Sequence, residues 1–206
     1  MKDNRIKEQI LKDIREALMN KDTTAESETM PCESPHAGPV SDEDISVCFA
    51  QNFTARGGTM YYCYNETDIR DRLLEIQQRH GGVTIGCASD NLSSFLGHLG
   101  IEDHAICSPD MHYPLGATLC EALIAWQGAL VISSNQGLGV TQPALAETTV
   151  VLAFTSQVVA DWESANERLK NLYPQFPECL MVTNPGSYAY RKGQQKMYLI
   201  LIEDED

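Results

Sequence analysis

CEALIAWQGALVISSNQGLGVTQPALAETTVVLAFTSQVVA, residues 120–160, decides the fold. Two apolar runs, 122–133 and 148–154, flank a small polar loop at 134–141 that carries two glycines. Runs rich in Ile, Val and Leu, about 4–8 residues long, have the pattern of buried strands. A loop of Ser, Asn, Gln and Gly between two such strands is where an α/β protein presents polar groups to a ligand.

Upstream of this stretch the pattern alternates. Residues 47–54 predict a helix carrying Phe49 and Phe53, turning at Gly57-Gly58. TMYYCY at 59–64 has strand chemistry. The next helix, from Asn65 to His80, is capped by Asn65 or Thr67, carries Ile69, Leu73, Leu74 and Ile76 as its stripe, and stops at Gly81-Gly82. A strand at 83–87, a helix at 89–99 and a strand at 104–107 follow. Strands alternating with helices predict βαβ units and a parallel sheet. Downstream, 118–126 reads as a helical or irregular lead-in to a strand at 129–133. Residues 157–159 read as the start of a strand or a turn, 161–171 as a helix, 180–183 and 197–202 as closing strands, and Asn184-Pro185-Gly186 as a turn.

The N-terminal region differs. Residues 1–20 predict an amphipathic helix with Ile6, Ile10, Leu11, Ile14 and Leu18 as its apolar stripe and Asp3 as its cap. Residues 21–46, rich in Pro, Ser, Thr and acids, predict a polar linker, and 47–206 the α/β domain.

Composition narrows the function. The chain of 206 residues has 29 acidic against 15 basic residues, a net charge of −14. Such a surface repels phosphate backbones and anionic lipids, so nucleic-acid and membrane-surface partners are not expected. No run approaches the ~18 apolar residues of a membrane span. The seven cysteines form no CxxC pair and no zinc-finger spacing with histidine, and their odd number predicts free thiols in a reducing cytoplasm. Cys87 and Cys107 end apolar strands and read as inert buried thiols, while Cys120 lies near the polar loop. His36, His80, His98, His104 and His112 are scattered, so no metal site is expected.

At 122–133 the sequence ALIAWQGALVIS resembles the lactate-utilization protein C family, or LUD domain, in a segment that usually reads A-x-x-A-E-T-G-T-L-V. The polar loop, the turn Gln142-Pro143-Ala144-Leu145, the element Gln157-Val158-Val159, the late turn at 183–187 and the apolar strand 197–202 follow in the same layout. The resemblance implies a NagB/RpiA/CoA-transferase-like fold, a three-layer α/β/α arrangement around a mostly parallel sheet. It also implies a role in oxidising L-lactate to pyruvate, beside a cysteine-rich subunit and an iron–sulfur subunit as partners. This chain has no ferredoxin-type cysteine run, so it is expected to hold no iron–sulfur cluster and no other cofactor. It departs from the family where Glu-Thr-Gly-Thr is usual and Trp126-Gln127-Gly128-Ala129 stands instead.

The expected ligand-binding residues are Gln127, Gly128, Ser133, Ser134, Asn135, Gln136, Gly137, Gly139 and Thr141, joined at the same rim by Asn184, Gly186 and Ser187. Glycines there let backbone N–H groups turn toward a small anion. Arg191 and Lys192 could meet a carboxylate or stand solvated, and Trp126 is either packing or a pocket wall. Glu121 reads as a surface or capping group. Two functions fit. One is a cluster-free accessory subunit of lactate oxidation that binds its partner subunits and a small anion. The other is a CoA-transferase-like or sugar-phosphate enzyme using the same sheet-edge pocket, which needs a positioned Glu, Asp or Cys there; for the CoA-transferase relatives the resemblance implies a Glu nucleophile near the sheet's edge.

Overall fold

Alternation along the last strand sorts the molecule into layers. In the computed structural model, which describes residues 42–108, 111–140, 146–188 and 196–204, strand β10 (Lys196–Ile202) sends Met197, Leu199 and Leu201 to one face and Tyr198, Ile200 and Ile202 to the other. All six are buried, as period-two geometry requires of a strand with a core on both sides.

β10 lies inside a six-stranded, all-parallel sheet of order β1-β10-β7-β4-β2-β3. Its other members are β1 (Thr59–Cys63), β2 (Ile85–Cys87), β3 (His104–Ile106), β4 (Tyr113–Leu119) and β7 (Ala146–Phe154). Helices α2 (Glu66–Arg79) and α3 (Asp90–His98) cover one face. Asn65 and Ser89 cap them by accepting the N–H groups of Asp68 and Leu92, which satisfies amides a helix start leaves unpaired.

The other face departs from the expected single sheet. It packs on α1 (Asp42–Ala55) and on a second, four-stranded sheet of order β8-β5-β6-β9. This sheet contains β5 (Ala122–Ile124), β6 (Ala129–Ser133), β8 (Val158–Val159) and β9 (Leu180–Thr183), and its outer face is backed by Ala165 and Leu169 of α4 (Trp162–Leu172). A single helical turn, α5 (Pro185–Tyr188), follows β9. The apolar run at 122–133 is therefore a β5–β6 hairpin, with a 3-10 turn at Ala125–Gln127 between its arms.

Two other expectations change. The helix predicted at 47–54 starts earlier, at Asp42. Residues 113–119, whose last two the sequence assigns to a helical or irregular lead-in, form a central strand despite Pro114 and Gly116. Proline is tolerated because pairing with β7 steps from Tyr113 to Leu115, and β2 pairs only from Leu115 onward. The expected N-terminal helix and most of the linker lie outside the described residues, as do Thr141, Arg191 and Lys192. No helix among the described residues is long and apolar enough to cross a membrane.

Candidate functional site

Register separates the residues that sequence placed on one rim. β6 and β9 are antiparallel, with Leu130 opposite Thr183 and Ser133 opposite Leu180. Asn184, Gly186 and Ser187, which follow Thr183, therefore stand at the start of β6 with Gln127 and Gly128. Ser133, Ser134, Asn135, Gln136, Gly137 and Gly139 stand at its other end. Five residues of strand separate the groups by roughly 13 Å. The single convergent rim is thus corrected to two ends of a small sheet.

The Gln127 end is a packing junction. Gly128 takes a left-handed conformation, φ +51°, and a Cβ there would come within 2.6 Å of the Asn52 and Phe53 backbone of α1. Buried Asn52 donates from Nδ2 to the carbonyl oxygens of Ala125 (2.9 Å) and Trp126 (3.3 Å). Trp126 itself packs against the core between the sheets, and Gln127 is exposed. Asn184 caps α5, its Oδ1 accepting from the Ser187 N–H (3.0 Å) and Oγ (3.3 Å).

The Ser133 end is different. Its centre is Glu121, only 3% exposed, in the short link between β4 and β5. Its placement corrects the reading of a surface or capping group. Oε1 accepts from Ser133 Oγ at 2.5 Å, Gln136 Nε2 at 3.0 Å and Tyr173 Oη at 2.9 Å; Oε2 accepts from the same Tyr173 hydroxyl at 3.0 Å. Ser133 Oγ in turn accepts the Asn135 N–H (3.1 Å). Arg168 donates to the Glu121 backbone carbonyl (3.1 Å), not to its carboxylate. Burial costs a carboxylate its hydration, and this ring of donors restores it. Burial, then hydrogen bonding and the charge of Glu121, raise the Tyr173 phenol above its ordinary range.

The donors expected to hold an outside anion thus hold the protein's own carboxylate. Tyr173 is the member that sequence reasoning missed: it lies 52 residues from Glu121 and belongs to no motif. Burial first, then the charge of Glu121, pushes the Cys120 thiol up, which disfavours the thiolate that a nucleophile needs.

This cluster borders the C-terminal edge of the parallel sheet. The segment Ser134–Val140 runs against the β2–α3 junction, where Gly137 (φ +67°, ψ −122°) comes so close that a Cβ would lie 2.5 Å from the Ala88 carbonyl oxygen. The chain leaves β2 through α3 toward β3 and leaves β4 toward the opposite side of the sheet. The gap between β2 and β4 is therefore a switch point, the place where open α/β sheets bind ligands. Among the described residues no group of three His, Cys, Asp or Glu side chains is arranged to hold a metal ion.

An open parallel sheet with helices on one face, and a helix and a small second sheet on the other, defines an α/β domain of wound type. No family model matches the chain, and no curated protein matches its sequence. A solved structure does share the fold: a DUF162 family protein from Deinococcus radiodurans, 12% identical, with a TM-score of 0.64 over 79% of this chain and 99% of that one. DUF162 is the LUD domain, and the mixed α/β fold with a parallel sheet that the resemblance at 122–133 implies is present, with a second sheet standing on one face where helices alone were expected.

Proposed function

We propose that this chain is a cluster-free LUD-type accessory subunit of an iron–sulfur system that oxidises L-lactate to pyruvate, and that it works by binding the iron–sulfur and cysteine-rich subunits. The observation that carries the reading is the fold shared with a DUF162 protein through nearly all of that protein's length. The motif resemblance at 122–133 points the same way. The state of the sheet edge favours a binding role over catalysis: Glu121 Oε1 already accepts three donors, and Ser133 is fully buried. A small anion at Ser134–Val140 would have to compete with Glu121 for those donors.

Co-purification tests the reading. The tagged chain should retain an iron–sulfur protein and a cysteine-rich protein of its own lactate-oxidation system at micromolar concentration. Failure to associate there removes the subunit role.

One observation favours a second reading, that of a CoA-transferase-like enzyme: a buried carboxylate stands at the sheet edge, and its Oε2 accepts only the Tyr173 hydroxyl among the described residues. A carboxylate of this kind attacks an acyl group once uncovered. Thermal shift separates the two. A ligand at 100 times its dissociation constant adds about 2.7 kcal/mol of stability. Stabilisation by CoA esters but not by lactate or pyruvate, lost in Glu121→Gln, would favour the enzyme; no shift with any CoA ester leaves the subunit reading.

A further inference from the structure

We propose that Ser134–Val140 is a latched cover over the crevice between β2 and β4, with Glu121 as the catch. The proposal goes beyond the subunit reading and does not depend on it. Three observations carry it. The segment lies against the switch point: Gly137 touches Ala88, the residue that follows β2, and Ala88 N–H is bonded to the Ala117 carbonyl of β4 (3.0 Å). Its base is fixed to the connection before β9, where Ser134 N–H donates to the Cys179 carbonyl (3.0 Å) and Ser134 Oγ accepts the Cys179 N–H (3.3 Å). Its near end is tied down by Gln136, which meets the same carboxylate oxygen as Tyr173.

The tie is polar where a permanent seam would be apolar. Gln136 and Tyr173 are each half-buried, so water can replace their bonds when they separate from Glu121, and a hydrogen bond exchanged for water costs little net free energy. Glycine at 137 allows the close approach without a side chain wedged into the junction. Release of Gln136 and Tyr173 would let the segment pivot about Ser134 and lay bare the ends of β2 and β4 with the first turn of α3. An α/β sheet offers its ligand site at that position.

Hydrogen–deuterium exchange on the full chain tests this, with Tyr173→Phe as the first variant and Gln136→Ala as the second. Each removes a donor from Glu121 and leaves the apolar core intact. The expected result is faster exchange, by about tenfold, in residues 134–140 and 88–92 together, with α2 unchanged. Acceleration confined to 134–140 overturns the proposal, because the segment would then cover nothing. Unchanged exchange in both segments overturns it, and so does a uniform rise that includes α2, which would make the cluster a general support of the core.

Discussion

Glu121 shows how a residue's neighbours can invert its reading. In sequence it stands between Cys120 and Ala122, with nothing to mark it as buried. In the fold it gathers Ser133 and Gln136 from the end of β6 and the turn that follows it, and Tyr173 from the end of α4. Removing the carboxylate leaves buried Ser133 without its acceptor and opens a cavity beside half-buried Gln136 and Tyr173, so Glu121→Ala is expected to cost about 2 kcal/mol in urea unfolding. Glu121→Gln keeps an acceptor oxygen and should cost less than half as much. Sequence alone points to Gly128 as a place for ligand approach, yet the backbone it approaches is that of α1. Gly128→Ala combines a left-handed φ with a backbone collision and is expected to lower stability by about 3 kcal/mol, read from the denaturant midpoint at unchanged slope.

At the scale of elements, legibility followed local signal. β9 was legible to the residue and β10 to within one residue at its start, because each is an uninterrupted apolar run. The helices at 66–79, 90–98 and 162–172 were legible from their stripes and caps. β4 was not, because Pro114 and Gly116 argue against a strand and only the pairing with β2 and β7 overrides them. Which strands join which sheet was also beyond the sequence: β5, β6, β8 and β9 are as apolar as the parallel strands, and period two does not encode a partner. Half of the site was legible, since the loop after β6 does carry the polar groups. The convergence with Asn184 was not, because it depended on the direction of β9. The cap of α4 offers a test on one element. Asp161 accepts from Ser164 N–H (2.9 Å) and Oγ (2.8 Å), and those bonds hold its carboxyl below the usual range. Asp161→Ala should cost about 1 kcal/mol at neutral pH. A lowered carboxyl contributes stability above its unfolded value and loses it as pH falls. The difference between the two proteins should therefore shrink below pH 3.8 in an acid titration of the unfolding midpoint.

For the whole molecule the thiols set the alkaline limit. No disulfide joins the six cysteines among the described residues, and five of them are buried. Burial pushes Cys63 and Cys87 up to about 12 and Cys107 up to about 11, from 9.0. A raised thiol holds its proton in the folded state after the unfolded chain has lost it. The thiols' contribution to stability is therefore fully present below pH 9 and falls as pH rises from 9 toward 12. Unfolding followed by circular dichroism should show this decline, and replacing Cys63 with Ala should make it shallower. A flat profile to pH 11 would show that the thiols ionise without opening the core.

The place of β10 bears on how a ribosome can deliver this protein. Among the described residues β1 has a single strand neighbour, and that neighbour spans Lys196–Ile202. Residues 59–63 must therefore wait, unpaired, for more than half of the chain to be translated before their edge is covered. Contacts so distant in sequence slow folding. A nascent chain stalled at residue 195 would expose the bare flanks of both β1 and β7, and until release it is a natural client for a chaperone that shields strand edges.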